Sequence, residues 1–242
     1  MAIPIHHFAT IDSTNSEARR RLETSQNPPF WIWADEQTEG RGRVGRHWFS
    51  PPGNLYATHC FQLDATPAAS SQISFVAALA VHDVASSLIT SAPISLKWPN
   101  DCLIDGAKFS GILAEMQGDN MILGMGLNVL HEPKDVAYRA TALAAHGYGI
   151  TVQQTFEYLK LKLKKWLQIW DNSNGFHHIH RAWEARCDAI GKDITLDNGH
   201  TTLNGTFAGL APDGALLLNH HNTTTKHYAG DVRIVATENT LK

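Results

Sequence analysis

The chain has 242 residues, 43% of them apolar and 18% charged, with a formal net charge of −3. That length can bury a real core, and the balance excludes a disordered chain. Net acidity removes any global reason to expect nucleic acid, and no run of about 18 apolar residues offers a membrane span, so any anion binding must be local.

The opening MAIPIHHFATIDSTN has no basic start and no long apolar run, so no signal peptide is expected. Cys60, Cys102 and Cys187 are scattered and never spaced as CxxC, which points to a reduced, cytoplasmic compartment. Thr14 and Glu17 fit a capping box, with a short helix running on through Leu22. Strands are expected at 31–34 and 54–63, on either side of a glycine-rich loop. Ile73, Val76, Ala77, Ala80, Val81, Val84 and Leu88 recur at helical spacing and predict an amphipathic helix over roughly 70–90. From 94 to 129 the pattern is of strands, one at 94–98, with turns at Asp105-Gly106 and at 117–120. Phe156, Leu159, Leu163, Trp166, Leu167 and Trp170 predict a second long helix with both tryptophans in the core, and a third helix covers 177–187. After Ala189, short β-prone runs alternate with Asn-Gly, Asp-Gly and Gly-Asp turns, the pattern of a small barrel of some five strands. The reading is an α+β domain over 1–188 and a β domain over 189–242.

Two stretches carry chemistry. GRGRVGRHWFSPPGN, residues 40–54, packs three arginines and three glycines into its first seven positions. Its Gly40-Arg41-Gly42-Arg43-Val44-Gly45 spells GxGxxG, but Pro51, Pro52 and Gly53 rule out the helix that a dinucleotide fingerprint requires. Kinase and Walker loops fail as well, since neither VAIK, HRD and DFG elements nor GK[ST] follow. A solvated surface loop and an RNA-binding arginine–glycine segment remain, though the latter is normally longer and repeated. The third reading is a loop that orders over an anion. Planar guanidinium forks suit phosphate and carboxylate, glycines let backbone N–H groups close in, and Trp48 offers a stacking face.

KWPNDCLIDGAKFSGILAEM, residues 97–116, ends a strand at Pro99 and places Asn100-Asp101 at its terminus, with Lys108 and Gly111 beyond the hairpin turn. Alone, this is a turn followed by an exposed strand lysine. GMGLNV at 124–129 ends an apolar strand on the polar Asn128. Together, Arg41, Arg43, Arg46, Lys97 and Lys108 are an inventory for bringing a small carboxylate against a nucleotide phosphate, which repel unless positive charge is supplied. No GxSxG and no thiol beside a base is present, so positioning and electrostatics carry the chemistry. HHIH at 177–180 sets His177 and His180 three apart on a helix, but a third ligand is missing and surface histidines are the reading, so no metal site is expected.

With these motifs in order, the chain resembles the biotin protein ligases. Asp12-Ser13-Thr14-Asn15 is similar to the family's N-terminal DSTN element, and Gln37 with GRGRVGRHWFSPPGNLY to its biotin loop. KWPND with Lys108-x-x-Gly111 resembles the central signature, and GMGLNV and ATAL complete a resemblance spanning about 12–143. It implies a mixed central sheet with helices of the class II aminoacyl-tRNA synthetase and biotin ligase type, plus a C-terminal SH3-like β-barrel. It implies that ATP with Mg²⁺ activates biotin as biotinyl-5′-AMP, and that a lysine of a biotin carboxyl carrier protein, as in acetyl-CoA carboxylase, then takes the biotinyl group. Carried over by position, Ser13, Thr14, Asn15, Gln37, Arg41, Gly42, Arg43, Lys108 and Gly111 bind biotin. Arg46, Trp48, Lys97, Asn100 and Asn128 bind ATP or the adenylate, and Lys108, Arg43 and Asp101 are catalytic. Repressor members carry an N-terminal helix-turn-helix domain, for which the motif at residue 12 leaves no room, so DNA binding is not expected. Ala142 stands where a serine is common, and Val44 and His47 fall at variable positions. A homodimer through edge strands is expected. The alternatives are a lipoate or octanoate ligase on the same fold, or a non-catalytic binder of biotin or RNA.

Overall fold

The computed structural model describes residues 3–63, 67–221 and 223–235, with backbone alone for 67–70. A seven-stranded sheet forms its centre, in the order β1-β2-β3-β7-β6-β5-β4. These strands are β1 (Ile5–Ile11), β2 (Phe30–Gln37), β3 (Leu55–Gln62), β4 (Ile94–Lys97), β5 (Asp101–Ile104), β6 (Ala107–Gln117) and β7 (Asn120–Leu127). β1 and β2 run parallel and the remaining pairs antiparallel, so the sheet is mixed, as expected. The hairpin expected at Asp105-Gly106 joins β5 to β6, with both residues in the left-handed region. The segment 117–120 likewise joins β6 to β7.

Helix α1 (Thr14–Glu23) covers one face, packing Ala18 against Phe30, Ile32, Cys60 and Ile122. On the other face lie α2 (Pro67–Ser86), α3 (Val152–Trp170) and α4 (Phe176–Glu184). The amphipathic helix expected at 70–90 is α2, but every residue from Val76 to Val81 is buried and Leu88 lies beyond its end, exposed. A helix wedged between a sheet and two further helices has no solvent side to display. α3 does show its stripe: Phe156, Leu159, Leu163, Trp166 and Trp170 are buried, and Thr151 with Gln154 closes a full capping box.

At α1 the expected capping box gives way to a simpler arrangement. Ser13, not Thr14, is the N-cap and accepts from the Ser16 N–H, while Glu17 pairs with Arg20 and Arg21. The shift of one residue turns Thr14 and Asn15 toward the sheet, where the chemistry lies.

The expected C-terminal unit is a five-stranded antiparallel sheet, ordered β11-β10-β9-β8-β12. Its strands are β8 (Asp193–Asp197), β9 (Thr202–Leu210), β10 (Leu216–His220), β11 (Thr223–His227) and β12 (Asp231–Ile234). The expected span 236–242 lies outside the described residues. Phe207, Leu216, Leu218 and Val232 join the core that includes α2 and α4. Glu184 accepts from the Leu210 N–H at 2.8 Å, and His180 donates from Nε2 to the Leu210 carbonyl at 2.9 Å. His180 is therefore a half-buried tether between α4 and the β unit rather than a free surface histidine. Among the described residues, no group of three or more His, Cys, Asp or Glu side chains is placed to hold a metal.

Candidate active site

The site begins with missing side chains. Gly111 on β6 and Gly124 and Gly126 on β7 leave bare backbone on the sheet's surface. A Cβ on Gly126 would lie 2.5 Å from Trp48 Nε1, one on Gly111 3.0 Å from the same indole, and one on Gly124 would collide with the Asn15 amide. Two planar side chains thus lie on the strands, Asn15 from α1 and Trp48 from the loop after β2. They border a cavity of about 610 Å³.

The loop is a small hairpin and no helix follows it, which removes the dinucleotide reading. Gly42 N–H donates to the Arg46 carbonyl at 2.7 Å and Trp48 N–H to the Gly40 carbonyl at 2.8 Å. A three-residue turn, Arg43–Gly45, forms the tip, with Val44 at φ 55° and 90% exposed. A β-branched residue held in the left-handed region is a strained one. The base of the loop is tied down. Thr14 donates from its N–H (2.9 Å) and hydroxyl (3.1 Å) to Gln37 Oε1, and Gln37 Nε2 donates to Ser50 Oγ at 3.1 Å. Ser50 in turn donates to the Trp48 carbonyl at 2.8 Å.

Opposite stand the charges. Lys108 Nζ sits 2.6 Å from Asp101 Oδ1, with Lys97 Nζ 3.9 Å from the same carboxylate. The Lys108 ammonium lies 5.3 Å from the centre of a Trp48 ring and 5.5 Å from that of Tyr138. Arg43 reaches Asn100 Oδ1 at 3.4 Å, and burial pushes its guanidinium pKa down, with Asp231 and Asp101 opposing the shift. Arg46 pairs with Asp231 on β12. Burial alone would raise the Asp231 carboxyl, but the hydrogen bond and charge of Arg46 hold it below the usual range. Asn100 donates from Nδ2 to the Ile112 carbonyl at 2.5 Å, fixing the corner at which β5 begins.

Every residue expected to touch biotin or nucleotide lines this cavity except Asn128, and Asp101 lines it too. Asn128 is buried, and its Nδ2 donates to the Thr141 carbonyl at 3.1 Å. It pins the 139–141 segment beside Lys108, where Lys108 N–H donates to the Arg139 carbonyl at 2.8 Å. It does not line the cavity, where a nucleotide contact was expected of it. Asn15 is largely used by the protein: its Nδ2 donates to Glu115 Oε2 at 2.8 Å, and its Oδ1 accepts from the Thr58 hydroxyl at 2.7 Å. Arg41 turns away from the tip, donating to Ser16 Oγ at 2.5 Å and to Glu115 Oε2 at 3.3 Å.

Sequence reasoning missed Tyr138, Arg139, Asp231 and Arg233, which also line the cavity, and Glu115 and Thr58 behind it. Asp231 and Arg233 arrive from the C-terminal sheet, a contact that no local pattern reports. The Gly-Asp dipeptide at 230–231 reads as a turn and nothing more.

Asn15 and Trp48 laid flat on a glycine floor, a corner of hydroxyl and amide groups, and arginines and lysines at the far end fit a ligase site that activates an acid with a nucleotide. Residues 7–131 match the model of the biotin/lipoate A/B protein ligase family. The chain is 33% identical to biotin–acetyl-CoA-carboxylase ligase of Paracoccus denitrificans, with 87% of this chain and 92% of that protein covered. It is 32% identical to the bifunctional ligase/repressor BirA of Bacillus subtilis, over 93% of this chain and 72% of that one. Among solved structures, biotin protein ligase from Aquifex aeolicus in complex with biotin and ATP superposes with a TM-score of 0.82 at 26% identity, covering 97% of this chain and 99% of that one. The chain belongs to the biotin/lipoate A/B protein ligase family.

Proposed function

We propose that this chain is an ATP-dependent ligase that attaches biotin to a lysine of a biotin carboxyl carrier domain through biotinyl-5′-AMP. The observation that carries the reading is the convergence on one cavity of the Ser13–Thr14–Gln37 corner, the glycine floor and the Lys108–Arg43 pair of cations. A ureido ring both donates and accepts hydrogen bonds, which suits hydroxyl and amide groups; an aliphatic acyl chain has no use for them. The acid tail then extends past Asn15 and Trp48 toward Lys108. Trp48 and Asn100 border the space for adenine, and Arg43 and Arg46 face the phosphates.

In the first step a biotin carboxylate oxygen attacks the α-phosphorus of ATP, and pyrophosphate leaves. Lys108 and Arg43 lower the repulsion between the two anions and stabilise the charge that builds on the phosphoryl oxygens. In the second step the neutral ε-amine of the acceptor lysine attacks the acyl carbon, AMP departs, and the amine gives up a proton. The reading assigns that proton to Asp101, the carboxylate paired with Lys108 at 2.6 Å. Mg²⁺ would enter on the ATP phosphates. Among the described residues the cavity's carboxylates are Asp101 and Asp231, which fits an ion held through one or two carboxylates and phosphate rather than a protein cage. The same reading divides the chain into a catalytic domain, 1–188, and an SH3-like domain, 189–242. It also places the protein in the cytoplasm, in keeping with three free, buried cysteines.

Biotin-dependent exchange of labelled pyrophosphate into ATP isolates the first step. Exchange that appears only with biotin present is the expected result; exchange with lipoate or octanoate but not biotin would overturn the substrate assignment.

A further inference from the structure

Glu115 lies on β6, facing α1, and does not line the cavity. Its Oε2 nonetheless receives both Asn15 Nδ2, at 2.8 Å, and Arg41 Nη2, at 3.3 Å. Its other oxygen lies 3.6 Å from Arg19 Nη2. One carboxylate oxygen therefore joins an amide that borders the ligand cavity to a guanidinium from the loop that closes over it. Asn15 is 3% exposed and rests on Gly124, so it cannot shift along the strand without losing Glu115 or Thr58.

Arg41 stands at the base of the loop, three residues before the exposed Val44 tip. Its guanidinium is bound to Ser16 on α1 and to Glu115 on β6, while Arg43 and Arg46 face the far end of the cavity. The loop's arginines thus divide their labour, one anchoring the base and two meeting charge at the tip.

We propose that Glu115 is a positioning residue: its carboxylate couples Arg41 to Asn15, fixing the pivot of the loop against the wall of the biotin pocket. This rests on the ligase reading above. Glu115 touches no substrate, so it acts only through those two side chains. With the charge removed, the bond from Arg41 loses its charge assistance, the Arg19 and Arg41 guanidiniums face a neutral amide, and the loop base swings more freely. Retention of biotin and of the adenylate then suffers, whereas phosphoryl transfer from a saturated site does not, because Lys108 and Arg43 are untouched.

The test measures the biotin KM and the release rate of biotinyl-5′-AMP for the full chain, for Glu115→Gln, for Arg41→Met and for the double variant. Glu115→Gln is expected to raise the biotin KM and to speed adenylate release by about tenfold each, with kcat lowered by less than about twofold. The double variant should be no worse than the more severe single one, since both substitutions break the same link. A Glu115→Gln protein indistinguishable from wild type, a fall in kcat at unchanged KM, or effects that multiply in the double variant would each overturn the inference. Should Glu115→Gln not fold, Glu115→Asp, which keeps the charge but draws the carboxylate back from Asn15 and Arg41, carries the test. Faster adenylate release in it supports the link, and a wild-type release rate overturns it. Failure of the wild-type chain to form any adenylate strikes instead at the ligase reading.

Discussion

Lys108 is the residue on which the chemistry turns. Its ammonium is held between Asp101, Trp48 and Tyr138, and the proposed function assigns it to the junction of carboxylate and phosphate. Lys108→Ala should slow adenylate formation at least about a hundredfold, the usual cost of losing one electrostatic donor at a reacting centre. Its thermal midpoint should stay near that of wild type, because the side chain reaches into the cavity and not into the core. Gly126 makes a second residue-scale case. An alanine there would place a Cβ 2.5 Å from Trp48 Nε1 and force the indole off the sheet. Gly126→Ala should raise the ATP KM by about tenfold, the scale of overpacking by one methyl group, and should alter the biotin KM less. Steady-state kinetics with each substrate varied reads both. At this scale the sequence was legible, because Lys108, Gly111, Trp48 and the Ser13–Thr14–Gln37 corner, each singled out by its motif, line one cavity. Asn128 was not. A polar residue ending an apolar strand looks the same whether it meets a ligand or, as here, the Thr141 carbonyl.

Among the elements, the arginine–glycine loop matters most. It is tied at its base through Gln37, Ser50 and Arg41, and strained and exposed at its Val44 tip. A loop so built can close over an adenylate and open to release it to an acceptor. Arg43→Gly should therefore leak activated biotin, which would label bystander proteins. Labelling that stays confined to the carrier domain, measured by mass spectrometry of a mixture of carrier and an unrelated protein, would refute that role for the loop. The loop's lack of a helix was readable from Pro51 and Pro52. β1 was not read, because IHHFATI sets histidines and a threonine among its apolar residues and lies at a half-exposed sheet edge. The limits of α2 were displaced for the opposite reason: it is buried almost all round, so its periodicity carries little information. α3, with one wet face, buries its expected stripe, Leu167 only in part.

Across the whole molecule, the two sheets share one core, and the C-terminal unit sends Asp231 on β12 to the loop arginine Arg46. That contact was beyond sequence reasoning, since it joins residues 46 and 231 through folding alone. Stability should carry a signature of its own. His59 is buried, stacked on Trp31, with Nδ1 donating to the Phe30 carbonyl at 3.2 Å. Burial pushes its pKa down from 6.5 to about 4, with the bond to Phe30 opposing the shift. The folded chain thus holds His59 neutral over a range where the unfolded chain takes up a proton. Its contribution is complete above about pH 6.5 and is lost as pH falls toward 4, amounting to roughly 3 kcal/mol. Urea titrations between those values should show the decline, and His59→Phe, which keeps the stack, should flatten it. An equal slope in both proteins would place the acid sensitivity elsewhere.

The activity belongs to the molecule as a whole, and one measurement reaches it directly. Purified chain, ATP, Mg²⁺ and biotin are incubated with an apo carrier domain, and the carrier is weighed by mass spectrometry. The account predicts one added biotinyl group, on a single lysine, dependent on ATP and lost with Lys108→Ala. A carrier of unchanged mass, under conditions in which an authentic biotin ligase modifies it fully, would contradict the account.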